Sequence, residues 1–177
     1  LSDLDEILGS ITRIMPILVG VQRVVLYRWD SEREVFMASH EYGFSDAQRE
    51  ESVMTEREFM RGDFPLLDSA AEQNRMLTIP LKPEAEPKSW LEIQPEAADE
   101  SDISSADRLL VAVPISIKND MFGIMLVEEA ENGRRFRARR IEIINGIAQQ
   151  AALAIQNDLL QNEMVMRERL ETEVQLA

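Results

Sequence analysis

From Arg137 to the final Ala177 the sequence contains no proline and places an apolar residue on nearly every helical turn. Ile141, Ile144, Ile147, Ala148, Ala151, Ile155 and Leu159 mark the first half, and Met166, Leu170, Val174 and Ala177 extend the stripe. Five apolar steps cover the eighteen residues from Ile141 to Leu159, a mean of 3.6, so the spacing predicts one continuous helix. At 1.5 Å per residue it would run roughly 60 Å, further than any globule this chain can build. Its first half is expected to pack on a sheet or on the first helix. Its second half projects an apolar stripe into water and needs a partner, most cheaply the same helix of a second subunit in a parallel pair, with Arg167, Glu168, Arg169 and Glu171 on the flanks.

The rest of the chain must form the body from which this rod leaves. Leu1, Leu4, Leu8, Ile11, Met15 and Leu18 alternate spacings of three and four, which predicts an amphipathic helix that Pro16 ends or kinks. Val21–Trp29 and Glu34–Tyr42 are rich in β-branched and aromatic residues around a polar turn at Asp30–Glu32, a hairpin pattern closed by Gly43. A helix is expected over Ser45–Arg61, where Val53, Met54, Phe59 and Met60 recur at roughly helical spacing. A second is expected over Phe64–Asn74, followed by a strand at Arg75–Ile79. Leu109–Ile117 and Met121–Val127, joined by Lys118–Asp120, read as paired central strands, and Glu131–Gly133 as a turn. The order describes an α+β domain: an antiparallel sheet bracketed by helices, with a long C-terminal helix.

Between the strand patterns lies a long loop. Four of the seven prolines fall between Pro80 and Pro95, and from Glu84 to Asp107 eight residues are acidic against one lysine, Lys88. Trp90, Leu91 and Ile93 form its only large apolar cluster; either they pin the loop to the body as a lid or the loop is a disordered insertion.

With 45% hydrophobic and 29% charged residues, 177 residues suffice for one domain that buries about 70% of the surface its unfolded chain exposes. A formal charge of −14 opposes binding to nucleic acid or anionic lipid. The absence of cysteine excludes thiolate nucleophiles, zinc–thiolate sites, iron–sulfur clusters, disulfides and thioether-linked chromophores, and a single histidine excludes imidazole metal cages. No metal or cofactor is expected. No apolar run has membrane-spanning length and the amino end is acidic, so the chain reads as cytoplasmic, a fragment of a longer protein.

Catalytic signals are thin. Glu128 and Glu129 are adjacent and, on a strand, point to opposite faces, so they cannot flank one bond; a solvated strand end is the expected explanation. His40 has no partner at nucleophile or ligand spacing, and the scattered glycines form no phosphate loop. The sequence therefore predicts a domain without catalytic activity. Arg134, Arg135, Arg137, Arg139 and Arg140 crowd the start of a helix, where the dipole disfavours cations, and pairing with the chain's own carboxylates is the expected compensation.

The apolar strand, Pro114, polar turn, Gly123 and second apolar strand of Leu109–Val127 resemble the GAF domain, a small-molecule sensor module of signalling proteins. The hairpin ending in Gly43-Phe44 resembles that family's first strands, and Phe136 followed by the Ile141–Leu159 stripe its last helix. The resemblance covers about residues 1–160, leaving 161–177 as the start of a helical signalling linker. The Arg167–Glu171 stretch is similar to connectors that precede sporulation-type phosphatases. Two branches of the family, the methionine-sulfoxide reductases and the covalent bilin binders, use cysteines this chain lacks. The cyclic-nucleotide motif finds only Asn132-Gly133 and Phe136, with Arg140-Ile141 where its acidic pair would stand.

The likeness, with strand alternation, implies a pocket for an unidentified small molecule on the sheet face away from the terminal helices. Its expected lining is Tyr27, Trp29, Met37, Phe44, Phe59, Phe64, Ile79 and Val113. A homodimer is expected through the terminal helices, with Ile155, Leu159, Met166, Leu170 and Val174 on the dimer and linker helix, and an effector domain in the parent chain. A ligand-free dimerisation and spacer module is the alternative.

Overall fold

The computed structural model describes residues 3–51, 57–96, 99–131 and 133–176. Helix α1 (Asp3–Val19) opens with Asp3, Asp5 and Glu6 in its first turn, where the positive end of the dipole favours carboxylates. It passes Pro16 and ends at Val19: Gly20 N–H closes on the Pro16 carbonyl at 2.9 Å, and buried Met15 and Val19 hold the last turn on the sheet. Strands β1 (Val21–Asp30) and β2 (Val35–Tyr42) form the expected hairpin. Strands β5 (Arg108–Ile117) and β6 (Asp120–Glu129) form the second pair. Edges are supplied by β3 (Glu58–Met60) and β4 (Leu77–Leu81), giving an antiparallel six-stranded sheet in the order β3-β2-β1-β6-β5-β4. Pro80 is tolerated because β4 is an edge strand and needs donors on one side only.

Two glycines set close approaches. A Cβ on Gly123 would stand 2.3 Å from the Tyr27 carbonyl oxygen across the β1–β6 pair. Gly43, at φ +92°, leaves β2 where a Cβ would meet the Gln22 carbonyl at 2.1 Å.

The sheet separates two cores because both faces are covered. On one side α1 and the terminal helix α5 (Arg137–Leu176) bury Leu8, Met15, Val24, Leu26, Val127, Ile144 and Ile155. On the other, helix α3 (Pro65–Gln73) and the segment 82–107 roof an aromatic layer. The described residues of that segment are neither featureless nor loose. It contains a 3-10 helix at Pro87–Glu92 and helix α4 (Glu100–Ser105), and Trp90 is fully buried, which settles the loop as pinned to the body.

The helix expected over Ser45–Arg61 is corrected. Helix α2 is described over Asp46–Glu51, and Phe59 and Met60 belong to β3, paired with Phe36 and Val35. Phe59 is buried between exposed Glu58 and Met60, a period of two. Val53 and Met54 lie outside the described residues, as do Leu1, Asn132 and Ala177. The strand expected at Arg75–Ile79 starts and ends two residues later.

Candidate functional site

The aromatic layer is built by strand alternation. Tyr27 projects from β1 between Phe59 and Phe64, with ring centroids 5.9 and 5.6 Å away in edge-on geometry, and Phe59 meets Phe64 at 5.2 Å. Trp90 comes down from the roof to meet Phe44 edge-on at 6.2 Å. Tyr27, Phe59, Phe64 and Trp90 are each at most 1% exposed. Yet among the described residues the Tyr27 hydroxyl and the Trp90 indole nitrogen have no hydrogen-bond partner, a condition that costs about 1–3 kcal/mol for each buried polar group. Burial also pushes the Tyr27 phenol well above its usual range.

Of the expected lining, Tyr27, Phe44, Phe59, Phe64 and Ile79 belong to this layer, and Trp29 packs against it beside Phe36 at 4.7 Å. Val113 does not: it follows Ala112 on β5 and points into the opposite core, beneath the helices. Met37 is displaced for the same reason, since its neighbours Phe36 and Ala38 both face the layer and alternation turns Met37 away; its sulfur lies 3.8 Å from Arg33 Nη1.

Where β6 ends, Glu128 and Glu129 do face opposite sides, but neither is solvated: they are 0% and 1% exposed. Glu128, in register with Arg23, takes the Arg23 guanidinium on Oε1 and stands 3.5 Å from Arg108 Nη1. Arg23 lies over the Phe44 ring, 6.0 Å from its centroid, and Arg108 Nη2 donates to the carbonyls of Lys82, Pro83 and Ala85 at 3.3, 3.1 and 2.9 Å. Burial pushes the Glu128 carboxyl above the usual carboxylate range, with the two guanidinium groups pulling the other way. Glu128 thus holds the start of the roof segment.

Glu129 holds its end and the start of α5. Its carboxylate accepts from Leu109 N–H at 2.9 Å, from Arg137 Nε and Nη2 at 3.0 and 2.8 Å, and from Arg140 Nη1 at 3.4 Å. Arg137 reaches on to the carbonyls of Ile103 and Ala106 at 2.6 and 2.8 Å, and Arg140 to that of Val19 at the end of α1 at 3.0 Å. Arg134 adds Asp107 at 3.0 Å and the Ser105 carbonyl. Three of the five crowded arginines, Arg134, Arg137 and Arg140, are therefore matched by the chain's own carboxylates and carbonyls, as expected, while Arg135 lies over the Phe136 ring, 5.2 Å from its centroid. Residue types alone did not show that the joint is buried, nor that Arg23 and Arg108 belong to it; the available signal was a charged residue set at or within each of two apolar strand runs.

His40 is structural: Nε2 stands 3.0 Å from Asp5 Oδ1 on α1 and Nδ1 3.0 Å from Ser39 Oγ. Among the described residues no cluster of acidic and imidazole side chains is suited to a metal ion, and no helix is long and apolar enough to cross a membrane.

On the helix side an open groove of about 950 Å³ runs between α1 and α5, floored by Ile7, Ile11, Ile147 and Ala151. Leu159, Met166, Leu170 and Val174 are exposed along α5. Ile155 is corrected: it is fully buried against its own sheet and lies in the body of the domain, not on the free stripe.

A family model described as the GAF domain matches residues 3–155. Similar solved structures include a GAF domain/HD domain protein from Geobacter sulfurreducens, 19% identical, with 90% of this chain and 95% of that one covered at a TM-score of 0.65. Residues 122 to 287 of a methyl-accepting chemotaxis protein are also 19% identical, covering 90% and 92% at 0.64. The blue-light absorbing form of the Thermosynechococcus elongatus PixJ GAF domain is 15% identical, covering 93% and 92% at 0.62. At these identities the likeness is one of fold. No protein with a curated description matches the sequence. With a family match that runs from the first turn of α1 to Ile155, the last buried apolar residue of α5, the chain belongs to the GAF domain family.

Proposed function

We propose that this chain is a non-catalytic regulatory domain of a cytoplasmic signalling protein. It takes a small molecule into the aromatic layer and relays the change through α5 to an effector in the parent chain. One observation carries the reading: the Tyr27 hydroxyl and the Trp90 N–H are buried and, among the described residues, unpartnered in one apolar layer, a polar deficit that entry of a ligand would relieve. The joint supplies a route outward, because Glu128 grips the roof and its chain neighbour Glu129 grips α5. A ligand that favours one arrangement of roof and helix shifts the effector by its difference in affinity for the two arrangements, and by no more.

The relay works best in a homodimer. The apolar groove between α1 and α5 and the stripe Leu159, Met166, Leu170 and Val174 support a parallel pair in which residues 161–177 begin the linker. The charge of −14 supports small molecules and protein partners over nucleic acid or anionic membrane. A second reading, the ligand-free dimerisation and spacer module, draws on the dense edge-to-face packing of Tyr27, Phe59 and Phe64. Native mass spectrometry of gently purified protein, with a thermal-shift screen over metabolites, separates the two. A retained or stabilising small molecule is the expected result, and none across the screen favours the spacer.

A further inference from the structure

The roof segment 82–107 is attached in an uneven way. Of its described residues only Pro87 and Trp90 are buried, while Ala85, Leu91, Ile93 and Ile103 are half-buried. Its two ends are held by arginines, at Lys82–Ala85 by Arg108 and at Ile103–Asp107 by Arg137 and Arg134. Between them, among the described residues, every hydrogen bond made by residues 86–102 closes within the segment: Ser89 on Glu86, Ile93 on Trp90, Asp102 on Asp99, and Ile103, Ser104 and Ser105 on the turn before them. Among the described residues, the middle of the segment is thus joined to the body by apolar contact alone, concentrated in one indole. That indole heads the fully buried side chains by volume and leaves its N–H unpartnered. Eight carboxylates repel one another along Glu84–Asp107.

We propose that Trp90 is a displaceable plug. Its indole occupies the place in the layer that the ligand takes, and the ligand is a planar, uncharged ring system of about indole's size. This rests on the reading of the layer as the ligand site. The class follows from what the layer already holds: Phe44 meets the indole edge-on at 6.2 Å, the layer is apolar but for the Tyr27 hydroxyl, and the Arg23 guanidinium over Phe44 is already paired with Glu128, so a flat ring fits and a further desolvated charge does not. On displacement Trp90 leaves with the described residues around it, and the pull on the arginine-held ends loosens their contacts with Arg108 and Arg137 and so reaches Glu128 and Glu129.

The test uses the full chain with Trp29→Phe, which leaves Trp90 as its one tryptophan, labelled with 5-fluorotryptophan and titrated with indole. The expected result in fluorine NMR is a buried resonance that declines, and a solvent-exposed one that grows, saturably. A buried resonance unchanged up to indole's solubility overturns the plug. The Trp90→Ala variant separates this from failure of the layer reading: indole binding to Trp90→Ala without displacement in the labelled protein removes the plug alone, and binding to neither removes both. Hydrogen exchange of the wild-type chain decides even if Trp90→Ala does not fold. Amides in 86–102 are expected to exchange at least tenfold faster than those of β5 and β6, and equal rates overturn the plug.

Discussion

Glu129→Gln measures how deeply the joint at the end of β6 is buried. Gln keeps an oxygen for the Leu109 N–H and nearly the same volume, so what it removes is one negative charge facing Arg137 and Arg140. Glu129 and Arg137 are 1% and 7% exposed at their side chains, and Arg137 makes a two-point contact at 3.0 and 2.8 Å. Breaking such a buried pair from one side costs about 3–5 kcal/mol, because a guanidinium is left in low dielectric without its counter-charge. A solvated pair of the same residues would be worth about 0–1 kcal/mol. Against a total stability of about 5–15 kcal/mol the two cases are well separated. Urea denaturation followed by circular dichroism should show a fall of about 3–5 kcal/mol with an unchanged slope. A loss of about 1 kcal/mol or less would refute the burial argument and restore the solvated strand end.

Three further outcomes are expected. Because burial raises the Glu128 carboxyl in the folded state, that state binds its proton to higher pH than the unfolded chain does. The wild type's advantage in stability over Glu128→Gln should therefore be greatest below about pH 4.3 and shrink as pH rises past it. An advantage that grows across the same titration would show the arginines outweighing desolvation. Gly123→Ala forces a Cβ to within 2.3 Å of the Tyr27 carbonyl and should lower stability by about 1–3 kcal/mol in chemical denaturation; a change below about 0.5 kcal/mol would mean that β1 and β6 separate freely. Removal of residues 161–177 should weaken dimerisation in light scattering, and an unchanged molar mass would take the exposed stripe of α5 out of the interface.

Much of the fold was legible because it rests on period. The stripe from Ile141 to Leu159 specified α5, and the β-branched runs with their polar turns specified both central hairpins. Face assignment was harder. Leu109–Val113 is buried on both sides, so an unbroken apolar run carries no parity signal, and Val113 fell to the wrong layer for that reason. Met37 was decidable, since Phe36 and Ala38 alternate with it. Strand β3 was not, because three residues are too short to establish a period. The opposite faces of Glu128 and Glu129 followed from alternation, but their burial did not. It depends on Arg23, 105 residues away in sequence, and on arginines that local reading places at a surface. The segment 82–107 looked like a loop by composition, and one indole gives it order.

The central claim is that the roof and the output helix are coupled through the joint at Glu128 and Glu129. Hydrogen exchange with mass spectrometry on wild type and Trp90→Ala, each with and without indole, reads it directly, because Trp90 belongs to the roof and the first turns of α5 lie across the sheet. The expected result is faster exchange at residues 99–107 and 137–144 in Trp90→Ala, reversed when indole refills the layer. Changes confined to residues 82–96, with α5 indifferent to both the substitution and indole, would contradict the coupling.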